Sequence, residues 1–456
     1  MKKQHLYLLA LTIIISCSKA SNPKELFLKH YQKGSIIEKV ECKGSSDQTY
    51  CLYMPSGYDI TKSLPVIYAF DPHGDGHLPV ALLKDIAEKY NYVIIGSNNC
   101  RNGLSSDDLN YSLSQLLNDT KNKLAIDTNR IFLTGFSGGA RIACALAQSI
   151  AGAKGVIACS AGFQPLNAAP PFTFIGISSS GDMNYLEMKK LDNTLQKFNA
   201  DNYFMLFEGK HEWCPKFVLE EAITMLEIKA MNDKTIAVNK SVVDGYLTNN
   251  LLKAKQLKES NQTDSLYKAY NILKRTIKSI DKLTDIAKLK TLLTEIEQKP
   301  DLQRYINELN ALEIYESMKQ QEFMAAFENK QDLWWNAELK RLDTDANDKN
   351  GLKSNQAKRL KGYISLSCYS YSNRALQTQN WKYAALFTHI YQKVDPENPD
   401  CYYALASLYA NTNQKEKAVV SLQSAIKLGF SNKNKLQNDP ILNPLHGMPE
   451  FEKLLN

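Results

Sequence analysis

The feature that most constrains the fold of this chain is a pentapeptide between a strand pattern and a helix pattern. Residues 135–139 read Gly-Phe-Ser-Gly-Gly, follow the apolar run 130–134 and open the helical pattern 140–147. Glycines two positions before and after Ser137 let a strand and a helix approach closely, which predicts a sharp strand-to-helix turn. The Ser137 hydroxyl then lies at a helix N-terminus, where unpaired N–H groups and the helix dipole favour negative charge.

A serine on such a turn is typical of a catalytic nucleophile. The chemistry also requires an acid and a histidine, in that order along the chain, each following a strand. Asp182 follows the apolar run 172–177, and His211 follows the run 203–207. We therefore expect His211 to act as the base and Asp182 to orient it. The alternatives are that Asp182 only caps the next helix and that His211 is only solvated.

Stabilising the oxyanion of such a reaction requires two backbone N–H donors. One is expected from Gly138, the residue after the serine, and the other from the loop after the strand pattern 64–70. In that loop the donor is Asp75, or Gly74 if the register differs by one.

Four short blocks resemble the esterase, dienelactone hydrolase and polyhydroxybutyrate depolymerase branch of the α/β-hydrolases. They are residues 73–74, 135–139, 181–185 and 209–213, in that order. The resemblance covers about residues 35–230 and implies an α/β-hydrolase fold. It also implies Ser137 as nucleophile, Asp182 as acid and His211 as base, and it leaves the substrate open.

The chain departs from the depolymerases in the loop after the strand 64–70. There, the carboxylates of Asp71 and Asp75 interrupt the glycine-rich pattern and would oppose an oxyanion if they pointed inward. His73 in this loop lacks a second histidine at ligand spacing, so we predict no metal and no cofactor.

Several polar and aromatic residues are candidates for substrate contacts, and they follow strands on the same side of the predicted sheet. They are Asn98, Asn99, Arg101, Tyr185 and Trp213. Such side chains suit a small ester with hydroxyl or aromatic parts, such as an acylated sugar or a feruloyl ester. A peptidase on the same triad is the enzymatic alternative, disfavoured because no propeller or other size filter is visible.

Strand and helix patterns alternate up to about residue 233, which predicts a mostly parallel sheet with helices on both faces over residues 25–233. From residue 234 to 456 the strand patterns stop, and Lys, Glu, Leu and Ala dominate. The expected fold class is therefore α/β, an α/β-hydrolase followed by an all-α domain. A chain of 456 residues with 44% hydrophobic residues is long enough for two cores.

The helical part resembles tetratricopeptide repeats, most clearly over residues 365–430. Ala384 and Ala418 lie 34 positions apart, and Pro396 falls where such a repeat ends. These helices predict a protein or peptide partner. The competing function is accordingly a non-catalytic interaction scaffold anchored in the envelope.

The N-terminus predicts export and lipid anchoring. Two lysines precede an apolar stretch at 6–15, and Ile-Ile-Ser-Cys ends at Cys17. The pattern resembles a bacterial lipoprotein signal over residues 1–17, with Cys17 lipidated and the protein held at a membrane of the cell envelope, periplasmic or outer. An ordinary secretory signal is the alternative.

Eight cysteines remain beyond Cys17, in a compartment that permits disulfides. Cys42 and Cys51 bracket a predicted hairpin turn, and Cys100 and Cys214 each follow a strand on the same side. We expect these two pairs to be candidates for bridges. The net charge of +7 is spread without a basic block, which does not indicate a nucleic-acid partner.

Overall fold

The computed structural model describes residues 23–164, 167–260, 262 and 264–455. The signal sequence predicted at 1–17 and the lipidation site Cys17 lie outside the described residues. Within them, no helix combines the length and the apolar composition that crossing a bilayer requires.

Eight strands form one sheet in the order β1-β2-β4-β3-β5-β6-β7-β8. They are β1 Ile36–Cys42, β2 Ser45–Tyr53, β3 Leu64–Phe70, β4 Val93–Ser97, β5 Ile126–Phe136, β6 Ala153–Cys159, β7 Thr173–Ser179 and β8 Asn202–Phe207. Strand β2 pairs antiparallel with β1 and β4, whereas the pairs formed by β3 to β8 are parallel. The predicted mostly parallel α/β class is confirmed.

Six helices flank this sheet. They are α1 Pro23–His30, α2 His77–Tyr90, α3 Ser106–Lys123, α4 Gly138–Ser149, α5 Tyr185–Lys197 and α6 Lys216–Asn232. Helices α2 and α6 pack on one face, where Leu83 and Ile223 join one core, and α1, α3, α4 and α5 contribute to the core on the other face. Because both faces are covered, all seven residues of β7 are buried.

The described residues after α6 contain helices and no strand, which confirms the predicted all-α part. The helices are α7 Lys240–Glu259, α8 Ser265–Ile280, α9 Ala287–Glu297, α10 Pro300–Asn329, α11 Asp332–Ala346, α12 Gly351–Gln377, α13 Trp381–Val394, α14 Pro399–Asn411, α15 Lys415–Lys427, α16 Lys433–Asn438, a 3-10 helix Pro440–Leu445 and α17 Pro449–Leu455. Ala384 and Ala418 are both fully buried, in α13 and α15. The tetratricopeptide assignment itself stays a prediction.

One hydrophobic core crosses the predicted domain boundary at residues 233 and 234. Tyr246 of α7, Leu273 of α8 and Leu289 of α9 belong to the same core as Ile223 of α6. Helix α6 therefore lies between the sheet on one side and α7 and α8 on the other. This packing ties the first part of the helical region to the sheet.

The structure contradicts both predicted disulfides. Cys42 packs in the core on one face of the sheet and Cys51 in the core on the other, and the same separation holds for Cys100 and Cys214. All eight described cysteines are free thiols. Cys214 Sγ instead lies 3.4 Å from Cys159 Sγ. The prediction for Cys100 and Cys214 was wrong because a position after a strand does not reveal which face of the sheet the side chain joins.

We expect Leu273→Ala to lower the free energy of unfolding by about 2–5 kcal/mol, because this side chain is fully buried in the shared core. Calorimetry should show one transition with a lower midpoint. Leu252→Ala is the control, since Leu252 on α7 is 56% exposed, and its effect should stay within about 0.5 kcal/mol. If calorimetry of Leu273→Ala showed two transitions and the transition of the sheet region kept its midpoint, a core shared between the regions would be contradicted.

Candidate active site

Ser137 lies between the end of β5 and the start of α4 in a strained backbone conformation. Its φ is 51° and its ψ is −121°. A residue other than glycine at positive φ costs roughly 1–3 kcal/mol and persists only where its surroundings enforce it. Here the Ser137 N–H donates to the Cys159 carbonyl at 2.8 Å, which fixes the turn against the end of β6.

Two glycines make this turn sterically possible. A Cβ on Gly139 would lie 2.0 Å from the Phe70 carbonyl oxygen, and a Cβ on Gly135 would lie 2.4 Å from the carbonyl carbon of Gly139. Both distances are far below van der Waals contact with backbone atoms that cannot move aside. Strands β3 and β5 and helix α4 therefore meet at a spacing that requires glycine at both positions.

The structure brings Ser137, His211 and Asp182 together. His211 Nε2 lies 2.9 Å from Ser137 Oγ, and His211 Nδ1 lies 3.0 Å from Asp182 Oδ1. The Asp182 side chain is fully buried and that of His211 is 24% exposed. A histidine linked in this way to a hydroxyl and a carboxylate has the geometry for moving the hydroxyl proton.

Backbone and side-chain hydrogen bonds tie together the two loops that carry Asp182 and His211. Ser180 N–H donates to Phe207 O at 2.9 Å, and Gly181 N–H donates to Gly209 O at 3.2 Å. Asp182 Oδ1 also accepts from the Asn184 N–H at 2.8 Å, just before α5. Asp182 thus makes both the contact to His211 and the N-terminal contact that its position before a helix suggests.

Aromatic rings line the His211 side of the site. The Phe136 ring lies 4.7 Å from the His211 ring and 5.9 Å from the Trp213 ring, centroid to centroid. Trp213 Nε1–H donates to Asp71 Oδ2 at 2.8 Å. Trp213 therefore joins the His211 loop to the loop after β3.

Neither carboxylate in the loop after β3 is left unpaired. Asp71 is 2% exposed and accepts from the His73 N–H at 2.9 Å as well as from Trp213. Burial raises the pKa of Asp71, but the hydrogen bonds from His73 and Trp213 outweigh it, so the pKa is lowered. Asp75 Oδ1 accepts from the N–H groups of His77 and Leu78 at the start of α2, at 3.0 and 3.2 Å.

The hydrogen bonds already made by the candidate backbone N–H groups limit which of these groups can bind an oxyanion. Gly138 N–H is the first of α4, where no earlier turn supplies an acceptor. Gly74 N–H donates to Asp71 O at 3.0 Å, so it is already used. In the described part of the chain, the Asp75 N–H has no hydrogen-bond acceptor, which favours Asp75 over Gly74.

Most of the predicted substrate contacts have structural partners. Asn98 Oδ1 accepts from Gly76 N–H at 3.2 Å, and Asn99 Oδ1 accepts from Thr49 N–H at 2.7 Å. The Tyr185 side chain is buried, which corrects the expectation that it contacts substrate. Of the five, Arg101 is exposed and Trp213 is partly exposed.

Sequence reasoning missed Asn102. A Cβ on Gly138 would lie 1.7 Å from Asn102 Oδ1, so this carboxamide lies directly over the residue after Ser137. The Asn102 N–H donates to Pro72 O at 2.8 Å, which holds it beside the loop after β3. Its position next to Arg101, in the loop after β4, was the available signal.

One group of potential metal ligands occurs in the described residues. The donor atoms of Glu38, Cys51 and His77 lie within 4.8 Å of one another. Sequence spacing did not reveal this group, because its members come from β1, β2 and α2. His77 Nδ1 already lies 2.8 Å from Glu38 Oε2, and burial raises the pKa of the Cys51 thiol to about 12. The Glu38–His77 pair is satisfied without an ion.

No protein-family model matches the chain, and no curated relative matches it. Among solved structures it is similar to S-formylglutathione hydrolase from Staphylococcus aureus, with 13% identity and a TM-score of 0.35 over 42% of this chain and 96% of that chain. It is also similar to an esterase from Pyrobaculum calidifontis, with 13% identity and a TM-score of 0.35 over 47% and 91%. A feruloyl esterase module from Clostridium thermocellum, complexed with sinapinate, matches with 11% identity and a TM-score of 0.33 over 41% and 85%.

We expect the His73–Asp71 pair to stabilise the fold in a pH-dependent way. His73 Nδ1 lies 3.3 Å from Asp71 Oδ1, and this contact raises the pKa of His73 above 6.5. The contribution of this pair to the free energy of unfolding is therefore complete below about pH 6.5. It is lost as the pH rises through the raised pKa of His73. The loss of Tm caused by His73→Asn should shrink as the pH increases, and Asp71→Asn should lower the His73 pKa measured by NMR.

His30→Asn is the control for this experiment, because the His30 ring bonds a backbone carbonyl, Leu26 O at 2.8 Å, instead of a carboxylate. A loss of Tm from His73→Asn that stays constant with pH would contradict the pairing.

Proposed function

We propose that this protein is a carboxylic ester hydrolase in which Ser137 is the nucleophile, His211 the base and Asp182 the residue that orients it. The observation that carries the proposal is the continuous hydrogen-bonded path from Asp182 through His211 to Ser137 Oγ, at 3.0 and 2.9 Å. The strained turn at Ser137 supports it, since such turns present a serine hydroxyl to substrate.

In the first half-reaction, Ser137 Oγ attacks the ester carbonyl carbon while His211 Nε2 takes the hydroxyl proton. The carbonyl oxygen becomes an oxyanion, and the N–H groups of Gly138 and Asp75 stabilise it. The His211 proton then passes to the leaving alkoxide oxygen, and the acyl group stays on Ser137. Asp182 stabilises the charged imidazole throughout these steps.

In the second half-reaction, a water molecule takes the place of the alcohol. His211 removes its proton, the hydroxide attacks the acyl carbon, and the same N–H groups hold the second oxyanion. Collapse of this intermediate breaks the bond to Ser137 Oγ, which regains the proton from His211. The products are the carboxylic acid and the unchanged serine.

The groups around Ser137 support a small ester with polar or aromatic parts as the substrate. Asn102 lies over Gly138, Arg101 lies beside Gly74, and the partly exposed Trp213 lies on the side of His211. Cations and carboxamides suit hydroxyl or carboxyl groups of a substrate, and an indole suits an aromatic ring or a sugar face. Acylated sugars and feruloyl-type esters are therefore the first classes to test.

A fluorophosphonate probe should label the protein and fail to label Ser137→Ala, because the probe reacts with an activated serine. Asp182→Asn should lower kcat on p-nitrophenyl esters by roughly 10⁴-fold, since the imidazole loses its orienting carboxylate. The measurements are gel fluorescence and initial rates on a panel of p-nitrophenyl, acetyl-sugar and feruloyl esters.

Ser114→Ala is the control, because Ser114 is exposed on α3 and its Oγ donates only to the backbone carbonyl of Asn110, at 2.7 Å. A protein that is folded and yet unlabelled under conditions that label other serine hydrolases would overturn the esterase proposal. That result would favour the scaffold function of the helical region.

We also propose that the enzyme acts in the bacterial cell envelope, anchored by acyl chains on Cys17, as the signal pattern predicts. Expression in a bacterial host with radiolabelled palmitate should label the protein and not Cys17→Ser. Cys42→Ser is the matched control and should retain the label. A label that survives Cys17→Ser would contradict lipidation at this residue.

A further inference from the structure

Two residues of helix α12 contact the loop that carries Asp182. Arg359 Nη1 donates to Ser180 O at 2.8 Å, two residues before Asp182. A Cβ on Gly362 would lie 3.1 Å from Met183 Cβ, directly after Asp182. The helical region therefore touches the loop on both sides of the proposed catalytic acid.

The Arg359 guanidinium is held in one orientation by Glu316 of α10. Its Nε lies 3.0 and 2.9 Å from the two Glu316 carboxylate oxygens, and Nη2 donates to Oε2 as well. The two side chains are 4% and 0% exposed. Replacing a buried pair of this kind by apolar residues is often neutral for stability, so its presence is poorly explained by stability alone. What it provides here is a guanidinium whose remaining nitrogen points at Ser180 O.

A second contact holds the segment just after Asp182. Tyr185, the first residue of α5, donates its hydroxyl to Glu313 Oε1 at 2.6 Å. Lys189 Nζ donates to the same oxygen at 2.6 Å, and Arg359 Cζ lies 4.4 Å from the centre of the Tyr185 ring. Glu313 and Glu316 are three residues apart on α10, so one helix face supports both contacts.

The Asp182 carboxylate has few restraints of its own. Oδ1 accepts from His211 and from the Asn184 N–H. Among the described residues, no group hydrogen-bonds to the buried Oδ2. The direction of the carboxylate is consequently set by the backbone of its loop, which is the part that Arg359 contacts.

We propose that the helical region sets the position of the catalytic acid, with Arg359 acting as a positioning residue for Asp182 through the carbonyl of Ser180. Arg359 does not touch the reacting atoms. The inference rests on the ester hydrolase function proposed above. It predicts that the helices after α6 are part of the catalytic unit.

The test replaces both members of the ion pair, Arg359→Met with Glu316→Leu, so that no unpaired charge is buried. We expect kcat on p-nitrophenyl esters to fall about 100-fold with little change in KM, because the loop shifts Asp182 relative to His211. Fluorophosphonate labelling should slow in parallel. Arg359→Lys, which keeps a charge for Glu316 and one donor for Ser180, should recover part of the loss.

The matched control is Arg275→Met with Glu221→Leu. This pair also joins the helical region to the sheet region and is nearly buried, with Arg275 Nε 3.1 Å from Glu221 Oε1, but it lies between α6 and α8. A variant there tests whether weakening the contact between regions is enough to reduce kcat. We expect wild-type kcat.

A readout independent of turnover is the downfield proton NMR signal of His211 Nδ1–H, assigned by its absence in His211→Ala. It should be lost or shifted in the Arg359 and Glu316 double variant and kept in the control pair. An unchanged signal with wild-type kcat, or equal losses in both double variants, would overturn the positioning role. If the wild-type protein is not labelled by fluorophosphonate, the hydrolase function fails, and this signal still decides whether Arg359 positions Asp182.

Discussion

The close approach of β3, β5 and α4 is the constraint on which the site depends. Because Gly139 lies against the carbonyl of Phe70, the helix begins within one residue of the strand end, and Ser137 has to turn at positive φ. The same turn places its hydroxyl 2.9 Å from His211 Nε2 and at the N-terminus of α4. A relaxed backbone at Ser137 would lose both the contact of its hydroxyl with His211 and the position of that hydroxyl at the positive end of the α4 dipole.

The two carboxylates near the site are each paired with hydrogen-bond donors close to them. A carboxylate close to a developing oxyanion raises the energy of the transition state, and this chain has two in the loop after β3. The Asp71 carboxylate accepts hydrogen bonds from Trp213 and His73, and the Asp75 carboxylate accepts two at the start of α2. With its carboxylate turned toward α2, Asp75 has a backbone N–H without an acceptor among the described residues, as the proposed oxyanion role requires. Both carboxylates of this loop therefore have hydrogen-bond donors of their own, as an oxyanion site beside the loop would require.

The sheet, the helical tail and the three site residues could be predicted because local patterns encode them. The carboxyl ends of parallel strands lie at the same edge of a sheet, so the residues that follow β5, β7 and β8 are expected to lie close together. The Cys100–Cys214 bridge and the substrate contact of Tyr185 were predicted wrongly, because a position after a strand does not reveal which face of the sheet or which partner a side chain takes. The Cys42–Cys51 bridge was wrong because a turn between two strands does not fix which face each side chain joins. Arg359 was invisible, since it lies 179 residues from Ser180 in sequence and its role depends only on packing.

The shared core changes how the helical region should be understood. Helix α6 lies between the sheet and the helices α7 and α8, and eleven of its 17 residues are buried, so the sheet region alone would expose a large hydrophobic face. The cooperative unfolding expected from this shared core would link the stability of the site to helices that contain none of its three residues. The proposed hydrolase site and the helical region are thus not separable modules, because α12 also contacts the loop that carries Asp182.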